Sequence, residues 1–102
     1  MLGRDDQHPR IINYQLLNTG KTLPVIFYEG EVWLNQKQIA SVFGTRLSTV
    51  NEHLKKIVGS PQFPVEQYSH LFKVKSSDGK QYEVAHYRLE VVEEIDKRVR
   101  RS

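Results

Sequence analysis

Apolar residues change their spacing at Asn35, at Leu71 and again at Leu89, and each change predicts a different element. Up to Leu34 they form short β-branched and aromatic runs parted by turn residues. Ile11-Ile12-Asn13-Tyr14-Gln15-Leu16-Leu17 precedes Asn18-Thr19-Gly20-Lys21, and Val25-Ile26-Phe27-Tyr28 precedes Glu29-Gly30. Glu31-Val32-Trp33-Leu34 is the third run. With Gly20 free to take a positive φ, the pattern predicts an antiparallel β-meander over residues 11–34. Pro24 has no N–H to donate and belongs at the beginning or edge of its strand. Residues 1–10 are polar and contain His8-Pro9, which predicts a loose arm.

From Asn35 the period is helical. Asn35 followed three residues later by Gln38 is a capping-box pattern. Ile39, Ala40 and Phe43 share a face, predicting a helix over Gln36–Phe43 that Gly44 ends. Leu47, Val50, Leu54, Ile57 and Val58 predict a second helix, with Gly59 as its C-terminal cap and Pro61 and Pro64 preventing continuation. A connector over 60–70 holds a short helical turn near Val65–Tyr68. Then alternation returns in Leu71-Phe72-Lys73-Val74-Lys75, the turn Ser76-Ser77-Asp78-Gly79 follows, and Gln81–Tyr87 runs back. Asp and Gly accept the backbone angles of such a turn. This hairpin, residues 71–87, is expected to bury Phe72, Val74, Tyr82 and Val84 and to expose Lys73, Lys75 and Glu83. Leu89, Val92, Ile95 (or Val91) and Val99 predict a C-terminal helix over 89–100.

Helix, tight turn, helix, connector, hairpin, helix is the layout of a winged helix-turn-helix. The expected fold is therefore α+β: a winged helix-turn-helix (35–58, wing 71–87) with an N-terminal antiparallel β-meander and a C-terminal helix. A small Ala40 allows close helix packing, Gly44 makes the sharp turn, and Val50 anchors the second helix in the core. With Val50, Leu54 and Ile57 inward, the opposite face presents Arg46, Ser48, Asn51, Glu52, Lys55 and Lys56, a donor-rich surface that a major groove admits. Arg46 suits a guanine or a phosphate, Asn51 an adenine, and Glu52 a cytosine amine. Ser48 and Thr49 suit phosphate at a helix N-terminus. Lys55 and Lys56 suit backbone contacts. The hairpin tip, from Lys75 to Lys80, could track an adjacent groove or phosphate line.

Blander roles compete with several of these. Lys55-Lys56 alone reads as a solvated face, and hairpin lysines also guard a sheet edge against pairing. Trp33 reads as a core anchor before a stacking platform. Arg98, Arg100 and Arg101 fit a frayed tail as well as a phosphate clamp.

Composition narrows the function classes. The 102 residues fit one small domain that buries roughly 65% of its unfolded surface. There is no cysteine, so disulfides, thiolate zinc sites and a cysteine nucleophile are excluded. No apolar run approaches a membrane span, and the start, Met1-Leu2-Gly3-Arg4-Asp5-Asp6, lacks the apolar core of a secretory signal; a cytoplasmic protein is expected. Fifteen basic against twelve acidic residues give a formal charge of +3, which favours polyanionic partners. His8, His53, His70 and His86 have no metal-ligand spacing. No phosphate loop, nucleophile elbow or spaced carboxylate pair stands out. No metal, no cofactor and no enzymatic activity are expected.

Ile12-Asn13-Tyr14-Gln15, Gly20-Lys21-Thr22, Val32-Trp33-Leu34-Asn35-Gln36, Ile39-Ala40, Phe43, Asn51-Glu52-His53-Leu54, Ile57, Asp78-Gly79-Lys80-Gln81-Tyr82 and His86-Tyr87-Arg88-Leu89-Glu90-Val91 together resemble the N-terminal region of the RhuM family of bacterial virulence-associated proteins. The likeness runs from about residue 11 to residue 100. It departs at Asp96-Lys97, where the family usually has Gly-Tyr, and at Gly44-Thr45-Arg46-Leu47-Ser48, where the family run is more polar. The resemblance implies a bacterial DNA-binding domain, with the rest of a longer protein following it. The expected function is sequence-specific binding of double-stranded DNA in transcriptional control, by a homodimer joined through its last helix or a meander edge. A protein-interaction module using Tyr14 or Tyr28, or an accessory domain of a larger virulence or toxin-type protein, are the alternatives.

Overall fold

A computed structural model describes residues 8–16 and 20–101, without the side chains of Arg100 and Arg101. Most of the predicted arm, Leu17-Asn18-Thr19 of the first predicted turn, and the expected roles of Arg100 and Arg101 lie outside the described residues. Strands β1 (Arg10–Gln15), β2 (Thr22–Tyr28) and β3 (Glu31–Asn35) are followed by helices α1 (Gln36–Phe43), α2 (Leu47–Ile57) and α3 (Val65–Tyr68). Then come β4 (Ser69–Lys75), β5 (Gln81–Arg88) and α4 (Leu89–Arg101). The fold is α+β, four helices and one five-stranded antiparallel sheet of order β1-β2-β3-β5-β4. Meander and hairpin are thus joined, through the pairs Trp33↔Arg88, Leu34↔Tyr87 and Asn35↔His86.

Strand alternation gives the sheet two different faces. Val25, Val32 and Leu34, with Ile12, Tyr14 and Tyr87 beside them, join Ile39, Ala40 and Val42 of α1 in one core. Val50, Leu54 and Ile57 of α2 and Val91, Val92 and Ile95 of α4 complete it. Removing a fully enclosed side chain here, as in Ile95→Ala, costs about 2–5 kcal/mol. On the opposite face Trp33, Tyr28, His70, Phe72 and His86 form a separate aromatic cluster. Phe72 lies 5.7 Å from Trp33, 5.4 Å from Tyr28 and 4.4 Å from His70. Trp33 is buried, as an anchor should be, but in this second cluster rather than in the helix-side core. Its Nε1–H donates to the Tyr28 carbonyl at 3.2 Å.

Three local expectations need correction. Tyr82 is 49% exposed, not buried with Phe72, because β3 pairs with β5 only over His86–Arg88 and leaves the outer hairpin uncovered. Leu47, part of the apolar period, is 45% exposed at the start of α2. Gly59 does not cap α2. Val58 closes that helix in an extended conformation, and Gly59, at φ +98, donates instead to the Phe63 carbonyl at 2.8 Å. Pro24 sits in mid-strand opposite Asn13, but β2 meets β3 only from Ile26 to Tyr28. No ladder bond is therefore missing on its β3 side, and its carbonyl accepts from Gln38 Nε2 at 2.6 Å.

Candidate nucleic-acid interface

The start of α1 is a capping box. Asn35 Oδ1 accepts from the Gln38 amide at 2.8 Å and Gln38 Oε1 from the Asn35 amide at 3.0 Å, satisfying donors a helix start leaves open. Its end is a Schellman motif. Gly44 adopts φ 61 and ψ 39, its N–H reaches the Ser41 carbonyl at 3.3 Å, and the Thr45 N–H reaches that of Ala40 at 3.0 Å. Lys21 donates from Nζ to the Ser41 carbonyl at 2.7 Å, placing a cation at the negative end of the helix dipole. The direction of α2 is set by this turn, and Gln36 Nε2 ties the two helices by donating to the Leu47 carbonyl at 3.1 Å.

Unlike α1, α2 begins without a side-chain cap: Arg46 is the N-cap, extended and exposed, and its side chain makes no capping bond. Rows four residues apart define the helix surface. Val50, Leu54 and Ile57 are buried. Ser48, Glu52 and Lys56 form the outermost row, and all three are exposed. Leu47, Asn51 and Lys55 form one flank; Thr49 and His53 form the other. Asn51 and Thr49 are half-buried on opposite flanks, so Asn51 does not stand on the fully presented face where the sequence placed it.

Past β4, the hairpin tip is held together by Asp78. Its carboxylate accepts from the Ser76 hydroxyl, from the Lys80 amide at 3.0 Å and from the Tyr82 hydroxyl at 3.4 Å. The Ser76 hydroxyl and then the Lys80 N–H hold this carboxyl below its ordinary pKa. Gly79 alone takes a positive φ in this turn, so Asp78 acts through its side chain and not through its backbone angles, as had been expected. Lys75 and Lys80 stand exposed on either side of the tip.

Helix and hairpin border one cleft of about 680 Å³, lined by Lys37, Leu47, Val74, Ser76, Ser77, Tyr82 and Val84 together with Asn35 and Gln36. Among the described residues, Lys37, Arg46, Lys55, Lys56, Lys75 and Lys80 make no ion pair. The salt bridges gather elsewhere, at Arg88 with Glu31 (2.8 Å) and Glu90 and at Arg98 with Glu94. No family model, no curated protein and no solved structure matches this chain. Its surface chemistry must speak for itself. Lys37, Leu47 and Tyr82 were not foreseen as site residues. Lys37 lies in the first turn of α1, and the hairpin brings Tyr82 to the same cleft.

His86, 2% exposed, sits outside this cleft, with Nδ1 at 2.8 Å from the Val84 carbonyl. Burial pushes its pKa down, the Val84 carbonyl partly opposing and His70 adding to the shift. Among the described residues no three potential metal ligands cluster, and no helix is long and apolar enough to cross a membrane.

Proposed function

We propose that this chain binds double-stranded DNA as a winged helix-turn-helix, with α2 in the major groove and the β4–β5 hairpin as the wing. It would act as a bacterial transcriptional regulator, or as the DNA-binding module of a larger RhuM-like protein. The observation that carries the reading is the set of exposed cations on α2 and the hairpin that, among the described residues, make no ion pair. Cations held in salt bridges have already lost much of what a phosphate offers; these have not. The order β3-β5-β4, with α1 and α2 inserted between β3 and β4, is also the arrangement such a domain requires. Val50 is fully buried beneath the helix whose outer row is polar.

In this reading Arg46, Ser48 and Glu52 reach base edges from the outer surface of α2, and Asn51 reads from the flank nearer the hairpin. Thr49, Lys55, Lys56, Lys75 and Lys80 contact phosphate, with Lys37 added to them. A single domain covers few base pairs, so a homodimer on a two-fold site belongs to the proposal. β1 offers a free sheet edge for that contact, with Ile11 72% exposed on it.

Selection of bound duplexes from a random pool is the test. Recovery of a short, two-fold symmetric motif is the expected result, and Arg46→Ala/Lys55→Ala should weaken binding to it by at least about tenfold. Undiminished binding in that variant would favour the interaction-module reading, for which the exposed Ile11 and Leu71 speak. Tyr14 no longer serves that alternative, since it packs against the helix-side core.

A further inference from the structure

Among the described residues, Ile11, Leu47, Val65, Leu71 and Tyr82 are the large apolar side chains that stand exposed. Two of them, Leu47 from the first turn of α2 and Tyr82 from the hairpin, line the same cleft. Val74 lies directly opposite Tyr82 in the β4–β5 ladder, and Val84 follows Tyr82 by two residues. The three therefore share one face of the hairpin, and all three line the cleft. The core does not claim Leu47, since Val50, Leu54 and Ile57 are the buried residues of α2. Its backbone is nevertheless tied down, because its carbonyl accepts from Gln36 Nε2 at 3.1 Å. Lys37, Ser76 and Ser77 also line the cleft, and no carboxylate is among its described lining residues. Apolar wall, one cation, hydroxyl donors and no acid match an amphipathic polyanion.

We propose that one strand of the duplex passes through this cleft and that Leu47 reads thymine through its 5-methyl group. The inference rests on the DNA reading above and adds a specificity residue to it. With α2 in the major groove and the hairpin against the same duplex, a single sugar–phosphate strand lies between them. Lys37, Ser76 and Ser77 meet its phosphates, and Val74, Tyr82 and Val84 meet its sugars. Of the four bases, thymine alone presents a methyl group in the major groove. The first turn of a recognition helix is where base edges are met. Leu47 stands there as an apolar side chain beside Arg46 and Ser48, which read by hydrogen bonds.

Each thymine of the selected duplex is replaced in turn by uracil, which keeps the base pair and loses only the methyl group. The full chain, as wild type and as Leu47→Ala, is titrated with every duplex. In the wild type, replacement at one or more positions should weaken binding by about fourfold, the worth of one buried methyl. Leu47→Ala should bind the thymine and uracil duplexes equally at those positions. Its salt slope should match that of the wild type, since no charge is removed. Leu47 lies outside the core and Ala is a good helix former, so this variant keeps the fold. Leu47→Met, apolar and of similar volume, should retain the preference. Wild-type binding indifferent to uracil at every position, or an undiminished thymine preference in Leu47→Ala, would overturn this inference and leave the duplex reading standing. Absence of duplex binding altogether would overturn both.

Discussion

Glu29 has φ 52 and Gly30 φ 75 in the two-residue turn between Tyr28 and Glu31. Both values are positive, the signature of a type I′ hairpin, which Asn-Gly fills better than Glu-Gly. Glu29→Asn should therefore raise stability by about 0.5–1 kcal/mol, read as a higher urea midpoint. Gly44 is the converse case. A Cβ there would meet nothing within 4 Å, but its φ of +61 is left-handed, so Gly44→Ala should cost about 1 kcal/mol for conformational reasons alone. Arg46 separates stability from function. As an N-cap it offers no acceptor, so Arg46→Ser should stabilise α2 by about 0.5–1 kcal/mol while lowering DNA affinity. Thermal unfolding and duplex binding of the same variant should move in opposite directions.

Among the elements, α1 was legible because both its ends are written locally, in Asn35 with Gln38 and in Gly44. α3 and α4 were read nearly to the residue for a similar reason: Pro64 before Val65, and an apolar period from Leu89 onward. The end of α2 was misread because Gly59 serves the following loop, closing on Phe63. The union of meander and hairpin had no local signal, since β3 and β5 lie about fifty residues apart and pair over three residues only. For the same reason the sequence could not say which sheet face Trp33 occupies, nor that Lys37 stands by the hairpin. Asp78 gives the hairpin its own test. Because its carboxyl is held below the ordinary value of 3.8, the order it imposes on the tip is present above that pH and is lost as pH falls through the lowered value. Asp78→Ala should show faster amide exchange at Gly79 and Lys80 at neutral pH, with exchange in α2 unchanged.

For the molecule as a whole, one sheet holds two buried clusters apart. Its helix-side face supports α1, α2 and α4, and its other face closes over Trp33, Phe72 and His86. His86 makes global stability depend on pH. Its folded pKa lies below the ordinary 6.5, chiefly through burial. The unfolded chain binds the proton more readily, so stability is full above about pH 6.5 and declines as pH falls from there toward the lowered value. Urea unfolding across that range should show the decline in the wild type, and His86→Gln should show less of it.

The central claim is that the cations of α2 and the hairpin neutralise duplex phosphates. Each phosphate neutralised contributes about 0.9 to the slope of log affinity against log salt. Five cations assigned to phosphate, Lys37, Lys55, Lys56, Lys75 and Lys80, predict a slope of roughly −4 to −5. Lys55→Ala/Lys56→Ala should reduce its magnitude by about two. Duplex affinity measured from low to moderate salt, in wild type and this variant, tests the account directly: a steep dependence that flattens in the variant is the predicted result, and an affinity indifferent to salt, or the same slope in both proteins, would contradict it.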